Sequence, residues 1–188
     1  MRMCRAVRAQ LAPARYRHVL GVARMAERLA RRYGVSREAM RVAGVLHDIA
    51  REWPPERLLA YAREHDLAIS ELEQASPILL HAKVGAHIAA VEFGVTDHDT
   101  LAGIATHTVA QPGMSAAQKI MFVADTIEPS RTYERRGQLE ALALRSLDEG
   151  LLGCVSASIE YLLSRGVPIA PQTLEVYNTL VRRYGTQA

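Results

Sequence analysis

The sequence predicts an all-α protein that forms a single helical bundle. Apolar residues recur at steps of three and four along most of the 188-residue chain, and no segment alternates convincingly in the pattern of a β-strand. Turn and cap residues divide these stretches into segments of helical length. We expect one domain over residues 1–188, with a core over about 14–165 and a C-terminal helix, about 172–184, packed on it.

Two helices are expected before Pro54-Pro55, which cannot continue a helix. An amphipathic stretch over about 14–33 predicts the first helix, and Gly34 is suited to end it. Ser36 predicts the start of the second, because its side-chain oxygen can accept a hydrogen bond from a free backbone N–H. We expect this second helix to run to about Arg51.

The remaining helices are also separated by recognisable turn residues. Those in the middle of the chain are expected at about 55–65, 77–93, 98–108 and 116–127. Ser76-Pro77, Asp97 and Ser115 predict the starts of the last three. Residues 66–75 are acidic and less clearly patterned. Helices near 138–147, 149–165 and 172–184 complete the expected bundle.

The composition excludes several classes of protein. With 49% hydrophobic and 23% charged residues, the chain fits an ordinary globular domain, and no apolar stretch approaches the roughly 18 residues needed to span a membrane. The basic N-terminus, Met1–Arg8, lacks the apolar centre of a secretory signal. Cys4 and Cys154 have no metal-ligand spacing. We expect a cytoplasmic protein.

Six polar residues interrupt the apolar stretches and predict the functional site. His47 and Asp48 stand side by side in an otherwise apolar run, where a buried carboxylate needs a partner. Each of the others also lies in or beside an apolar helix face. The six candidates for metal binding are His18, His47, Asp48, His81, His107 and Asp125. Histidine and aspartate brought together from separate helices are typical of a metal site.

The number and kind of these residues favour a catalytic centre with two ions. Imidazoles combined with carboxylates suit iron, manganese, zinc, cobalt or nickel better than calcium or magnesium. Six protein ligands are too many for one ion that keeps an open position, whereas two ions could share a bridging carboxylate such as Asp48. Two neighbouring ions can activate a hydroxide and stabilise the attacking and leaving oxygens of phosphoryl transfer.

The order His18, His47-Asp48, Asp125 resembles the HD-domain superfamily of metal-dependent phosphohydrolases. The sequence around these residues is similar to one branch of the superfamily, the YqeK family, over about residues 16–163. The matching stretches are AGVLHDIA at 43–50, LLHAKVGA at 79–86, THT at 106–108 and MFVADTIEPSR at 121–131.

This resemblance implies an enzyme that cuts diadenosine tetraphosphate at its centre to give two ADP molecules, with iron as the metal. It implies that His18, His47, Asp48 and Asp125 hold one ion, with Asp48 also the catalytic residue. His81 and His107 would then hold a second ion or face the phosphates. The expected substrate contacts are Arg17, Arg51, Lys83, Thr108 and Arg131.

Two other interpretations stay open. Another HD phosphohydrolase, acting on nucleoside monophosphates or deoxynucleoside triphosphates, would use nearly the same ligand set. A non-catalytic basic module that binds nucleotide or nucleic acid is less favoured, because the arginines near the N-terminus and at Arg131, Arg135 and Arg136 accompany no nucleic-acid-binding motif. The expected partner is therefore a small nucleotide. The oligomeric state is open, with a homodimer among the alternatives.

Overall fold

The computed structural model describes residues 2–185, and the predicted all-α class is confirmed. Within these residues no β-strand occurs. A 3-10 helix, Pro77–Leu80, leads directly into the α-helix that begins at His81. The α-helices are α1 (Arg2–Gln10), α2 (Pro13–Tyr33), α3 (Arg37–Leu46), α4 (Pro55–Glu64), α5 (Glu71–Ala75), α6 (His81–Phe93), α7 (His98–Thr106), α8 (Ala116–Ile127), α9 (Arg136–Arg145), α10 (Leu147–Arg165) and α11 (Pro171–Tyr184). None of the described helices is both long enough and apolar enough to span a bilayer.

Helix α2 lies at the centre of the part of the bundle that carries the site. It packs against α3 and α8, while α7 contacts α3, α6 and α8. The buried face of α2 is lined by residues at helical spacing, including Val19, Val22, Ala26 and Leu29. Gly44 of α3 allows the closest approach, because a Cβ there would lie 2.4 Å from the Cα of Ala23. This glycine therefore sets the separation of α2 and α3.

A second group of helices supports α8 from the other side. Helix α10 packs against α8, α9 and α11. Its buried residues include Leu151, Cys154 and Val155. Helix α11 lies on α10, and the hydroxyl of Thr173 donates to the carbonyl of Ala110, 3.3 Å away. These contacts fix α8, which carries Asp125.

The end of α3 differs from the prediction. We expected this helix to reach about Arg51, but it ends at Leu46, and residues 47–52 form successive turns. The amides of Ile49 and Arg51 bond to carbonyls three residues earlier rather than four. Ile49 and Ala50 are fully buried in these turns, so the apolar pattern continues past the end of the helix. Burial alone could not show where helical hydrogen bonding stops.

Two helices were not expected, and two observed helix boundaries differ from the predicted ones. Helix α1 forms in the segment that we had described only as basic, and its Val7 is fully buried, so the core extends beyond the expected 14–165. Helix α5 forms within residues 66–75 through a capping box between Ser70 and Glu73. The start predicted at Ser76-Pro77 is a 3-10 helix, and α7 ends at Thr106, short of the predicted boundary.

Candidate metal centre

Three candidate histidines lie at helix ends and share one hydrogen-bonding pattern. His47 directly follows α3, His107 directly follows α7, and His81 is the first residue of α6. In each case the ring Nδ1 lies in hydrogen-bond range of the backbone carbonyl three residues earlier. A carbonyl oxygen can only accept, so Nδ1 carries the proton and donates it. The Nε2 atom of each ring then has a free lone pair.

His18 is oriented by a different partner. It lies within α2, and its Nδ1 is 3.0 Å from Oε1 of Glu128, the residue that ends α8. Because an ionised carboxylate also only accepts, Nδ1 of His18 donates in this bond, and Nε2 of the same ring faces the carboxylates of Asp48 and Asp125. A histidine oriented by a carboxylate in this way is the usual arrangement of a metal-binding imidazole.

The Nε2 atoms of the four histidines converge on the two carboxyl oxygens of Asp48, which is only 3% exposed. Oδ1 lies 3.2 Å from Nε2 of His81 and 3.7 Å from that of His107. Oδ2 lies 3.5 Å from Nε2 of His47 and 3.7 Å from that of His18. Each oxygen of Asp48 therefore faces its own pair of imidazoles.

Asp125 completes the cluster from α8. Its Oδ1 is 3.0 Å from Nε2 of His18 and 4.0 Å from Nε2 of His47. Two groups of residues place their ligand atoms within 4.8 Å of one another: His18, His47 and Asp125, and His47, Asp48 and His107. The structure thus brings all six candidates together.

The chemistry of this donor set fits a metal ion. Nε2 of His18 and Nε2 of His47 are buried, and neither has a hydrogen-bond partner among the described residues. Nε2 of His81 and Nε2 of His107 lie 3.1 Å apart, although each is an acceptor in the tautomer that its carbonyl partner requires. Buried lone pairs that face one another need a positive charge between or beside them. A metal ion ligated by Nε2 supplies that charge.

The surroundings of the cluster lower the pKa of its carboxyl groups and shift the pKa values of its imidazoles in both directions. Burial lowers the pKa of His47 to about 4 and also lowers the pKa of His81. Burial has the same effect on His18, but the neighbouring carboxylates outweigh it and raise its pKa. Burial would raise the pKa of Asp48 and of Asp125, yet the surrounding imidazoles hold both below the usual range. His47 and His81 are therefore neutral at physiological pH, the form that binds a metal.

Two arginines border the cluster and partly balance its negative charge. Nη1 of Arg15 donates to Oδ2 of Asp48 at 3.0 Å, and the Arg15 side chain is 29% exposed. Nη2 of Arg131 donates to Oδ1 of Asp125 at 2.8 Å, and its Nε donates to the backbone carbonyl of the same residue. Each guanidinium therefore has one edge on a carboxylate while part of the side chain is in contact with solvent.

The predicted substrate contacts are scattered around the cluster. Arg131 alone among them is bonded to a candidate ligand, as described above. Arg17 is exposed on α2, Arg51 is partly exposed in the turns after Asp48, and Thr108 is partly buried beside His107. Nζ of Lys83 donates to the Glu73 carboxylate at 2.7 Å and to the carbonyl of Ala68 at 2.8 Å.

Sequence reasoning missed two residues that contact the cluster, Arg15 and Glu128. Arg15 lies three positions before His18, and Glu128 lies three positions after Asp125. Residues three apart on a helix share a face, so this spacing was a usable signal. Arginines are frequent in this chain, and the step from Glu128 to Pro129 looks like an ordinary helix end, so neither residue stands out in the sequence.

The comparisons with known proteins agree with this geometry. The HD domain matches residues 15–130. The chain is 34% identical over 175 residues to the symmetrical bis(5'-nucleosyl)-tetraphosphatase of Bacillus subtilis (strain 168), covering 93% of this chain and 94% of that protein. It is 30% identical over 176 residues to the protein of the same name from Staphylococcus aureus (strain NCTC 8325 / PS 47), covering 93% and 90%.

A solved structure extends the similarity to three dimensions. The crystal structure of a predicted HD superfamily hydrolase involved in NAD metabolism from Clostridium acetobutylicum matches with a TM-score of 0.91 and 31% identity, covering 97% of this chain and 96% of that one. The resemblance to the YqeK family that was inferred from the sequence motifs is therefore confirmed. The chain belongs to the HD-domain family, in the YqeK-type branch that contains the symmetrical bis(5'-nucleosyl)-tetraphosphatases.

Proposed function

We propose that this chain is a metal-dependent hydrolase that splits diadenosine tetraphosphate at its central bridge into two ADP molecules. One water molecule is consumed: its oxygen bonds to one of the two inner phosphorus atoms, and the bond from that atom to the central bridging oxygen breaks. The observation that supports this most directly is the convergence of four imidazole Nε2 atoms on the two oxygens of Asp48. Relatives that carry this activity in their names are similar over nearly the whole chain.

The positions of the donors support a site for two ions. His18, His47, Asp125 and Oδ2 of Asp48 would hold the first ion, since these atoms lie together. A second set, His81, His107 and Oδ1 of Asp48, would hold the other. When bound, such metals supply Lewis acidity that activates water and offsets phosphate charge. We propose iron as the metal, and manganese, cobalt, nickel and zinc suit the same donors.

The chain's own part in the reaction is to hold charge and position phosphate. Asp48 and Asp125 stay ionised because the surrounding imidazoles lower the pKa of each carboxyl. Arg15 and Arg131 lie at the border with solvent, where a guanidinium that bonds a carboxylate with one edge can bond a phosphate oxygen with another. We propose these two as phosphate contacts. Arg17, Arg51, Thr108 and Lys83 stay predictions for further substrate contacts.

Product analysis tests the proposal. Purified protein supplied with Fe²⁺ or Mn²⁺ under reducing conditions should convert diadenosine tetraphosphate to ADP alone. In ¹⁸O-water the label should enter the terminal phosphate of one ADP from each substrate molecule. ATP and AMP as products would refute central cleavage. Hydrolysis of nucleoside monophosphates or deoxynucleoside triphosphates in preference to the dinucleotide would favour the alternative HD phosphohydrolase instead. Asp48→Ala is the matched inactive control.

The proposal includes the setting in which the enzyme works. We propose a cytoplasmic protein whose partner is a small nucleotide, in keeping with the nucleotide substrate named for its relatives. Size-exclusion chromatography with light scattering will decide the oligomeric state, for which the homodimer stays a prediction.

A further inference from the structure

We propose that Glu128 is a positioning residue that selects the metal-binding tautomer of His18. This inference rests on the proposed role of His18 as a metal ligand. Glu128 is 1% exposed, although no candidate ligand set includes it. His18 is the one candidate histidine whose Nδ1 bonds to a side chain instead of to its own helix backbone. Its tautomer therefore depends on a residue that can be changed by mutation.

The carboxylate of Glu128 is held in one orientation from both sides. Oε1 accepts from Nδ1 of His18 at 3.0 Å and from the hydroxyl of Ser130. Oε2 accepts from the backbone N–H of Ser130 at 2.8 Å. These partners use both oxygens as acceptors, so the Glu128 side chain cannot rotate without losing a hydrogen bond.

Gly21 provides the space that this carboxylate needs. A Cβ at Gly21, one turn after His18 on α2, would lie 2.2 Å from Oε2 of Glu128 and 3.2 Å from its Cδ. Any larger residue at this position would push the carboxylate away from His18. Gly21 therefore allows the Glu128 carboxylate to reach His18. A substitution at Gly21 is a second way to displace Glu128 without altering its charge.

Glu128→Gln has a specific chemical consequence that a merely structural role would not produce. The backbone N–H of Ser130 can only donate, so the glutamine oxygen must take the place of Oε2. The glutamine NH₂ group then faces Nδ1 of His18 and donates to it. Nδ1 must become the acceptor, and the proton of the neutral ring moves to Nε2. The lone pair would then point away from Asp48 and Asp125.

Nitrogen NMR of the full chain, freed of metal by a chelator, tests this directly. Imidazole ¹⁵N shifts measured at alkaline pH, where the ring is neutral, distinguish the two tautomers. Glu128 at Nδ1 and Asp125 at Nε2 each lie 3.0 Å from the ring and compete for its proton, so we expect the Nδ1–H tautomer of His18 to be more populated in the wild type than in Glu128→Gln. Retention of the wild-type population of the Nδ1–H tautomer in Glu128→Gln, with circular dichroism showing an intact fold, would overturn the proposal.

Manganese binding gives the second readout. Titration with Mn²⁺, followed by electron paramagnetic resonance, should show affinity about 10–100-fold weaker in Glu128→Gln. Gly21→Ala should weaken it in the same direction by displacing the carboxylate. Glu140→Gln is the matched control, because Glu140 of α9 bonds Arg28 of α2 and Arg136 of its own helix, neither of which is a candidate ligand, and it should leave Mn²⁺ affinity unchanged.

His18→Ala separates this proposal from the proposed function. Loss of Mn²⁺ binding in His18→Ala together with wild-type affinity in Glu128→Gln would overturn the role of Glu128 and leave the metal site intact. Wild-type affinity in His18→Ala would instead remove His18 from the ligands and overturn both.

Discussion

Gly44→Ala is the sharpest test of how the fold builds the site. Gly44 lies where α3 crosses α2, and its carbonyl accepts the Nδ1–H of His47 at 2.8 Å. A Cβ there would lie 2.4 Å from Cα, 2.7 Å from the backbone nitrogen and 3.1 Å from Cβ of Ala23. The first two of these atoms belong to the backbone, so a rotamer change cannot relieve the clash. The two helices must move apart.

The magnitude follows from two opposing effects. Ordinary contacts of a Cβ begin near 3.4 Å, so the helices are about 1 Å too close for alanine. Overpacking costs about 1–3 kcal/mol, and a contact of 2.4 Å with backbone that cannot rotate away belongs at the upper end, about 2–3 kcal/mol. Replacing glycine by alanine within a helix gains about 1 kcal/mol in propensity. We therefore expect a net loss of about 1–2 kcal/mol, which lowers the melting temperature of a chain of this size by roughly 2–8 °C.

Thermal unfolding of metal-free protein, followed by circular dichroism, measures this change. Gly137→Ala is the matched control, because Gly137 is also helical and a Cβ there meets nothing within 4 Å. That variant should keep or raise the melting temperature. Gly44→Ala should also weaken Mn²⁺ binding, because the carbonyl that orients His47 moves. A melting temperature for Gly44→Ala equal to or above wild type would refute the close approach of α2 and α3.

Three further changes test the site and its surroundings. Asp48→Ala should lose bound metal and nearly all hydrolysis while the helical circular dichroism persists; full metal content with normal turnover would contradict its role. Arg131→Ala should lower kcat/KM by a factor that corresponds to about 1–3 kcal/mol of lost transition-state stabilisation, with little change in melting temperature. A lower melting temperature with normal turnover would instead indicate a purely structural residue. Glu73→Gln should lower stability at neutral pH. Burial would raise the pKa of the Glu73 carboxyl, but the bonds from Lys83 and Ser70 outweigh burial and lower it. The stability from ionised Glu73 is thus present above its usual pKa of 4.5 and is lost as pH falls through the lowered value, so wild type and Glu73→Gln should converge in acid.

Local signals in the sequence were sufficient for most of the helices. Ser36, Asp97 and Ser115 each accept a hydrogen bond from the backbone three residues later, as predicted. Such a cap involves only neighbouring residues, so its residue types are visible in the sequence. The same reasoning failed at the end of α3, where buried Ile49 continued the apolar pattern through non-helical turns.

The sequence also determined which side chains could form the site. Histidine and aspartate in apolar surroundings are costly unless they meet partners, and this cost singles out His18, His47, Asp48, His81, His107 and Asp125. Only the tertiary structure decided how they are arranged. It showed Asp48 between two pairs of imidazoles and added two unexpected partners, Arg15 and Glu128.

The physical reason lies in the separation along the chain. His18 and Glu128 are 110 positions apart, and Arg15 and Asp48 are 33 apart. Hydrogen bonds over such separations depend on the packing of α2 against α3 and α8, which no local pattern encodes. The sequence by itself determined the helices and the chemistry available to them, whereas the tertiary structure decided which nitrogen of His18 faces the site, because that depends on the approach of Glu128 past Gly21.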